Sequence, residues 1–172
     1  GDIGAGKSTL MKILPGAYTK DGGTISFDGK EIAPKNTNDS EKLGISIIYQ
    51  ELNLIPEISI AENIYLHRQP EKYGFVDWKK MNRMAKEMLE KVGLKLKPQE
   101  LVGRLTVAQQ QMVEIAKALS KDLKLLIMDE PTSSLTDAET KTLFGLIGSL
   151  KEKGITIIYI SHRMNEIFEI CD

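Results

Sequence analysis

Three stretches of the chain are apolar at nearly every position: "GISIIYQ" (Gly44 to Gln50), "LKLLIMDEP" (Leu123 to Pro131) and "ITIIYISH" (Ile155 to His162). Runs this short have no polar alternate face. Each therefore predicts a strand covered on both sides, as in a parallel sheet. A fourth segment, "TISFDGKEI", alternates instead, and Asp28-Gly29 at its middle predicts a tight hairpin.

The stretches between them carry the longer helical period. A helix is expected from Lys7 to Leu14, stopped by Pro15-Gly16. In "DWKKMNRMAKEMLEKVGL", Asp77 is the expected N-cap, and Met81, Met84, Met88, Leu89 and Val92 fall along one side. Methionines can form an adaptable binding surface, but at this spacing they read as core, with the charged opposite side solvated. In "TDAETKTLFGLIGSLKEKG", Thr136 and Glu139 form a capping box ahead of a stripe of Leu143, Leu146, Ile147 and Leu150, with Gly154 past the end. Strands alternating with helices predict an α/β fold. Residues 51–119 are set apart as a mostly helical region richer in Met, Gln and Lys.

Composition narrows the function classes. At 172 residues the chain is one domain's worth, long enough for a sizeable core. Its 23 basic and 24 acidic residues nearly cancel, so neither nucleic acid nor an anionic membrane surface is expected as a partner. The single cysteine, Cys171, excludes an internal disulfide framework and suits a reducing compartment. No apolar run approaches the roughly 18 residues of a membrane span. The expected location is cytoplasmic.

The candidate chemistry sits where the apolar runs end. The opening "GDIGAGKST" fits G-x-x-x-x-G-K-[ST] through Gly1, Gly6, Lys7 and Ser8, with an extra Gly4. Glycines let the backbone curl so that N–H groups point at phosphate oxygens. Lys7 can reach the β- and γ-phosphates, and the Ser8 hydroxyl can ligate Mg²⁺. The second motif is "LLIMDEP", where adjacent carboxylates end a buried strand. That arrangement is unfavourable unless the charges meet a cation or a proton-transfer task. Asp129 is placed to hold Mg²⁺, and Glu130 to act as general base on an attacking water. A parallel sheet presents the C-terminal ends of its strands to a ligand, which would gather Gln50, Asp129, Glu130 and His162 around the phosphates.

The order of phosphate loop, Gln50, "LTVAQ", "IMDEP" and "ISH" resembles an ATP-binding-cassette ATPase over essentially the whole chain. The phrases "YQELNLIPEISIAENIYL", "AQQQMVEIAKAL", "MDEPTSSLT" and "YISHRMNEIFEICD" are similar to the ribose/galactose class of bacterial sugar importers, and to the N-terminal of their two cassettes. The resemblance implies a P-loop NTPase of the RecA-like kind: a mainly parallel sheet flanked by helices, residues 1–172 forming one nucleotide-binding domain with a helical subdomain at 51–119. It implies that Gly1, Gly4, Ala5, Gly6, Lys7, Ser8 and Thr9 hold the triphosphate of ATP, and that Ser8, Gln50 and Asp129 surround Mg²⁺. Glu130 would be the base, with Gln50 near the water and His162 touching the γ-phosphate and orienting the base. Leu105, Thr106, Val107, Ala108 and Gln109 would be the signature segment, acting on ATP held by a facing cassette. Implied partners are a second cassette, the membrane-spanning permease subunits on which the helical subdomain docks and, indirectly, a sugar-binding protein. The implied location is the inner face of the cell membrane. The chain would be an internal piece of a longer protein, lacking the strand that leads into the phosphate loop.

The chain departs from the family pattern at Ile3, usually Asn; at Pro15, usually a small polar residue; at Thr136, usually Asp; and at Thr106, usually Ser. Thr106 keeps the hydroxyl but adds a methyl in a tight interface, which bears on turnover rate. Two other classes compete: a soluble cassette protein of translation or DNA repair, and a different P-loop enzyme such as a GTPase or kinase. Near-neutral charge weighs against the first, and the absence of an N-K-x-D motif against the second.

Overall fold

The computed structural model describes residues 11–18 and 21–171. All three continuously apolar runs are strands. β3 (Ile45–Ile48), β6 (Leu125–Asp129) and β7 (Thr156–Ile160) form one parallel sheet in the order β3-β6-β7. The register pairs Ile45 with Leu125, Leu125 with Thr156, and Asp129 with Ile160. Strand β6 lies in the middle, and Leu125, Leu126, Ile127 and Met128 are all buried. β7 is only half-buried, as are Ser46 and Ile47 of β3, a correction to the expectation of burial on both sides: among the described residues each of these strands has a sheet neighbour on one side alone.

Alternation along these strands divides the core in two. Ile45, Ile47, Leu125, Ile127, Ile158 and Ile160 face one way and pack with Met11, Leu14 and the hairpin of β1 (Ile25–Phe27) and β2 (Lys30–Ile32). Its turn residues Asp28 and Gly29 both have positive φ, as the expected two-residue hairpin requires. Residues 11–13 are helical and the turn breaks at Gly16, whose φ is 75°. A Cβ there would lie 2.2 Å from the Asn36 carbonyl oxygen, so only glycine lets the chain pass. The carbonyl of Leu14 accepts from the Ser40 hydroxyl of the short helix α1 (Thr37–Lys42).

The other face carries Ile48, Leu126, Met128, Ile157 and Tyr159 into a larger cluster with four helices. These are α2 (Ile60–Ile64), α3 (Trp78–Lys91), α4 (Val107–Leu119) and α5 (Asp137–Glu152). Each begins at an identified cap: Ser59, Asp77, Thr106 and Thr136, every one accepting from the N–H three residues on. The expected core of α3 is present, with Met81, Leu89 and Val92 buried and Met84 and Met88 packed against them. The α5 stripe of Leu143, Leu146, Ile147 and Leu150 is buried as anticipated. Residues 51–119 also hold an element not foreseen, the antiparallel hairpin of β4 (Glu71–Lys72) and β5 (Phe75–Val76), turned by Tyr73 and Gly74 at positive φ. A last helix, α6 (Met164–Ile170), follows β7.

Since β6 fills the middle of both clusters, it should dominate stability. Ile127→Ala in the full-length gene product is expected to cost about 2–5 kcal/mol, whereas Phe75→Ala, at a side chain 79% exposed, should stay within about 0.5 kcal/mol. Urea unfolding measures both, and equal midpoints for the two variants would contradict this picture.

Candidate active site

The parallel register brings the ends of β6 and β7 together. Asp129 closes β6 opposite Ile160, and the Glu130 N–H donates to the Ile160 carbonyl at 2.9 Å. Both chains then turn away, so the next side chains meet beyond the sheet. The Nε2 of His162 lies 2.7 Å from Oε1 of Glu130. His162 is 73% exposed and Glu130 25%, so the carboxylate is sheltered while the imidazole faces an open side. An N–H donated by Nε2 fixes the carboxylate orientation and leaves its other oxygen free for a proton.

Glu130 also has φ of 48°, in the left-handed region that a non-glycine residue enters at a cost of roughly 1–2 kcal/mol. Sparse backbone conformations of this kind cluster at functional sites, where the surrounding structure enforces them. Here the enforcing contacts are the Ile160 bond on one side and the Ser133 N–H to the Glu130 carbonyl, 3.3 Å, on the other.

Asp129 is half-buried, and its carboxylate makes no hydrogen bond or salt bridge among the described residues. A carboxylate at a strand end with no such partner among the described residues fits a cation-binding role. Its charge is felt nearby: burial pushes the Tyr49 phenol above its ordinary range, Lys12 opposes this, and Asp129 adds to it. Tyr49 and Gln50 follow the last registered pair of β3 and β6, Ile48 with Met128, and Gln50 is exposed. The segment after Gln50 is tied down. Glu114 on α4 accepts from the Asn53 N–H at 2.8 Å, and Asn63 on α2 accepts from the Ile55 N–H and donates to the Ile55 carbonyl.

Of the expected signature residues, Leu105 and Ala108 are buried, Val107 is half exposed and Thr106 exposed. The Thr106 hydroxyl accepts from the Gln109 N–H at 3.2 Å while Gln109 Oε1 accepts from the Thr106 N–H at 3.0 Å, so the pair caps α4. No hydrogen bond or ion pair joins this segment to Glu130 or His162 among the described residues. Gly1, Gly4, Ala5, Gly6, Lys7, Ser8 and Thr9, together with Ile3, lie outside the described residues. No group of three or more His, Cys, Asp or Glu side chains able to hold a metal occurs among the described residues. The expected Mg²⁺ set of Ser8, Gln50 and Asp129 has only one such side chain. No helix of the described residues is long and apolar enough to cross a membrane.

The sequence pattern described as ABC transporter matches residues 1–133. The chain belongs to the ABC transporter family. Curated relatives align with its entire length. A Burkholderia ambifaria protein, provisionally named ribose/galactose/methyl galactoside import ATP-binding protein 1, is 54% identical over 172 residues, covering 33% of that relative. The ribose import ATP-binding protein RbsA of Geobacillus kaustophilus is 50% identical, with 35% of it covered. The chain thus spans about a third of the length of these curated relatives. Among solved structures, a nucleotide-free ATP-binding cassette from an ABC transporter superposes at a TM-score of 0.81 with 25% identity, covering 98% of this chain and 71% of that one. The cbiO1 protein of Clostridium perfringens, part of the ABC transporter complex cbiONQ, gives 0.81 and 28% over 100% of this chain and 68% of the other. These ABC neighbours bear out the α/β fold of a parallel sheet flanked by helices.

If the left-handed backbone at Glu130 is held there under strain, glycine should relieve it. Glu130→Gly is expected to raise stability by up to about 1 kcal/mol, because the exposed His162 contact it loses is worth little. A lower unfolding midpoint for this variant would contradict stored strain.

Proposed function

We propose that the chain is the ATP-hydrolysing cassette of a monosaccharide importer, with Glu130 as general base. The observation that carries the chemistry is the 2.7 Å contact between His162 and Glu130 at the ends of adjacent parallel strands. Water attacks the γ-phosphorus of ATP; the Glu130 carboxylate takes its proton, the new O–P bond forms, and the bond to the bridging β,γ-oxygen breaks to release ADP. His162 holds the base through Nε2 and faces the γ-phosphate from the open side. Gly1, Gly4, Ala5, Gly6, Lys7, Ser8 and Thr9 would cradle the triphosphate by backbone N–H groups, with Lys7 adding a cation.

Ser8, Gln50 and Asp129 are the residues that would hold Mg²⁺, and an Asp129 carboxylate without a hydrogen-bond or ion-pair partner among the described residues fits that role. When bound, Mg²⁺ supplies charge neutralisation across the β- and γ-phosphates. Leu105 to Gln109 would serve ATP on a second, facing cassette. The exposed Thr106 at a helix N-terminus is suited to this, since that end attracts phosphate. Residues 51–119 would form the helical subdomain that docks on membrane-spanning permease subunits, placing the protein peripherally on the inner face of the membrane. The sugar would be of the ribose or galactose class, in keeping with the names of the relatives, and would be delivered by a separate binding protein.

Replacing Glu130 by Gln keeps the shape but cannot accept the proton. In the full-length gene product, Glu130→Gln should leave ATP binding nearly intact and slow hydrolysis by at least about a hundredfold, within the usual range for a lost general base. Steady-state phosphate release and nucleotide titration check this, and near-normal turnover would remove Glu130 from the role.

A further inference from the structure

The contact between Glu130 and His162 cannot hold itself together. With the imidazole 73% exposed, such a pair contributes little on its own. Something else must fix the two turns that present these side chains. Beneath them lies Glu166, on the first turn of α6 and 3% exposed. Its carboxylate gathers donors from both turns. Thr132, two residues past Glu130, donates its hydroxyl to Oε1 at 2.8 Å and lies 2.9 Å from Oε2. Ser161, next to His162, donates to Oε2 at 2.8 Å, as does the Tyr159 phenol at 2.9 Å. Arg163, on the other side of His162, approaches Oε1 at 3.4 Å. The Ser161 hydroxyl also accepts from the Arg163 N–H at 3.0 Å, so the backbone at His162 is bracketed.

Burying an ionised carboxylate is costly, and a well-packed apolar side chain often serves stability better. Burial alone would push the Glu166 carboxyl up; the hydroxyls of Thr132, Ser161 and Tyr159 and the charge of Arg163 outweigh it and hold the carboxyl below its usual range. Every donor to it comes from one of the two turns or from the strand between them.

We infer that Glu166 is a positioning residue that locks the turn carrying Glu130 to the turn carrying His162 through Thr132 and Ser161. This rests on the assignment of Glu130 as base. It predicts an effect on turnover and not on nucleotide capture, because none of the network residues belongs to the proposed phosphate cradle.

The test uses the full-length gene product with Mg²⁺ and ATP. Glu166→Gln should lower kcat about ten- to hundredfold, as expected for a displaced reacting group, with KM and ATP affinity within about twofold. Should that variant fail to fold, the Thr132→Val, Ser161→Ala double variant keeps the carboxylate and should lower kcat in the same direction. In a Glu130→Gln background, adding Glu166→Gln should cause no further loss, since the group being positioned is already disabled. Unchanged kcat, a change confined to KM, or the same fold-loss in both backgrounds would overturn the inference. Near-normal turnover in Glu130→Gln alone would instead remove the assignment on which it rests.

Discussion

The parallel pairing of β6 between β3 and β7 is the constraint on which the site depends. Parallel strands release their chains at the same end, so the polar residues that follow each apolar run emerge on one rim. Along β6 the side chains are buried from Leu125 to Met128, and burial ends at Asp129. The chemistry starts where the core stops. Pairing Asp129 with Ile160 leaves Glu130 and His162 as the first residues free to meet beyond the sheet, and they do so at hydrogen-bond distance.

The energetics of this rim run from the inside outward. Two apolar clusters, one on each face, hold the strands in register. The left-handed backbone of Glu130 is held against its own preference by bonds to Ile160 and Ser133. Exposed contacts at the surface contribute little on their own, so their geometry is inherited from the buried groups below. The same logic governs the segment after Gln50. It is fixed through Glu114 and Asn63, side chains on the helices that also complete the second cluster. A shift of α4 would therefore be felt at the approach to Gln50, because Thr106 and Glu114 belong to one helix.

Much of this was legible in the residues. Continuous apolar runs marked β3, β6 and β7, and capping residues marked the starts of α3 and α5, because both signals depend on local spacing. The hairpin of β4 and β5 was not visible, since strands of two residues are too short to show a period. Its one clue was Gly74 in "EKYGFV". Glu166 was hidden for the opposite reason. A glutamate a turn beyond His162 reads as a solvated helix face, and the contact with Thr132, 34 residues earlier, is not visible in local spacing. The half-exposure of β7 likewise depends on sheet neighbours that an apolar run does not reveal. The phosphate cradle from Gly1 to Thr9 rests on its spacing alone.

The central claim is that Glu130 and His162, set by the ends of β6 and β7, face the γ-phosphate of ATP. A crystal structure of the full-length gene product with Mg²⁺ and a non-hydrolysable ATP analogue tests it most directly. The account predicts the γ-phosphate within hydrogen-bond reach of His162, and a water between that phosphate and the Glu130 carboxylate. A nucleotide seated away from this rim, or a γ-phosphate approached by neither side chain, would contradict it.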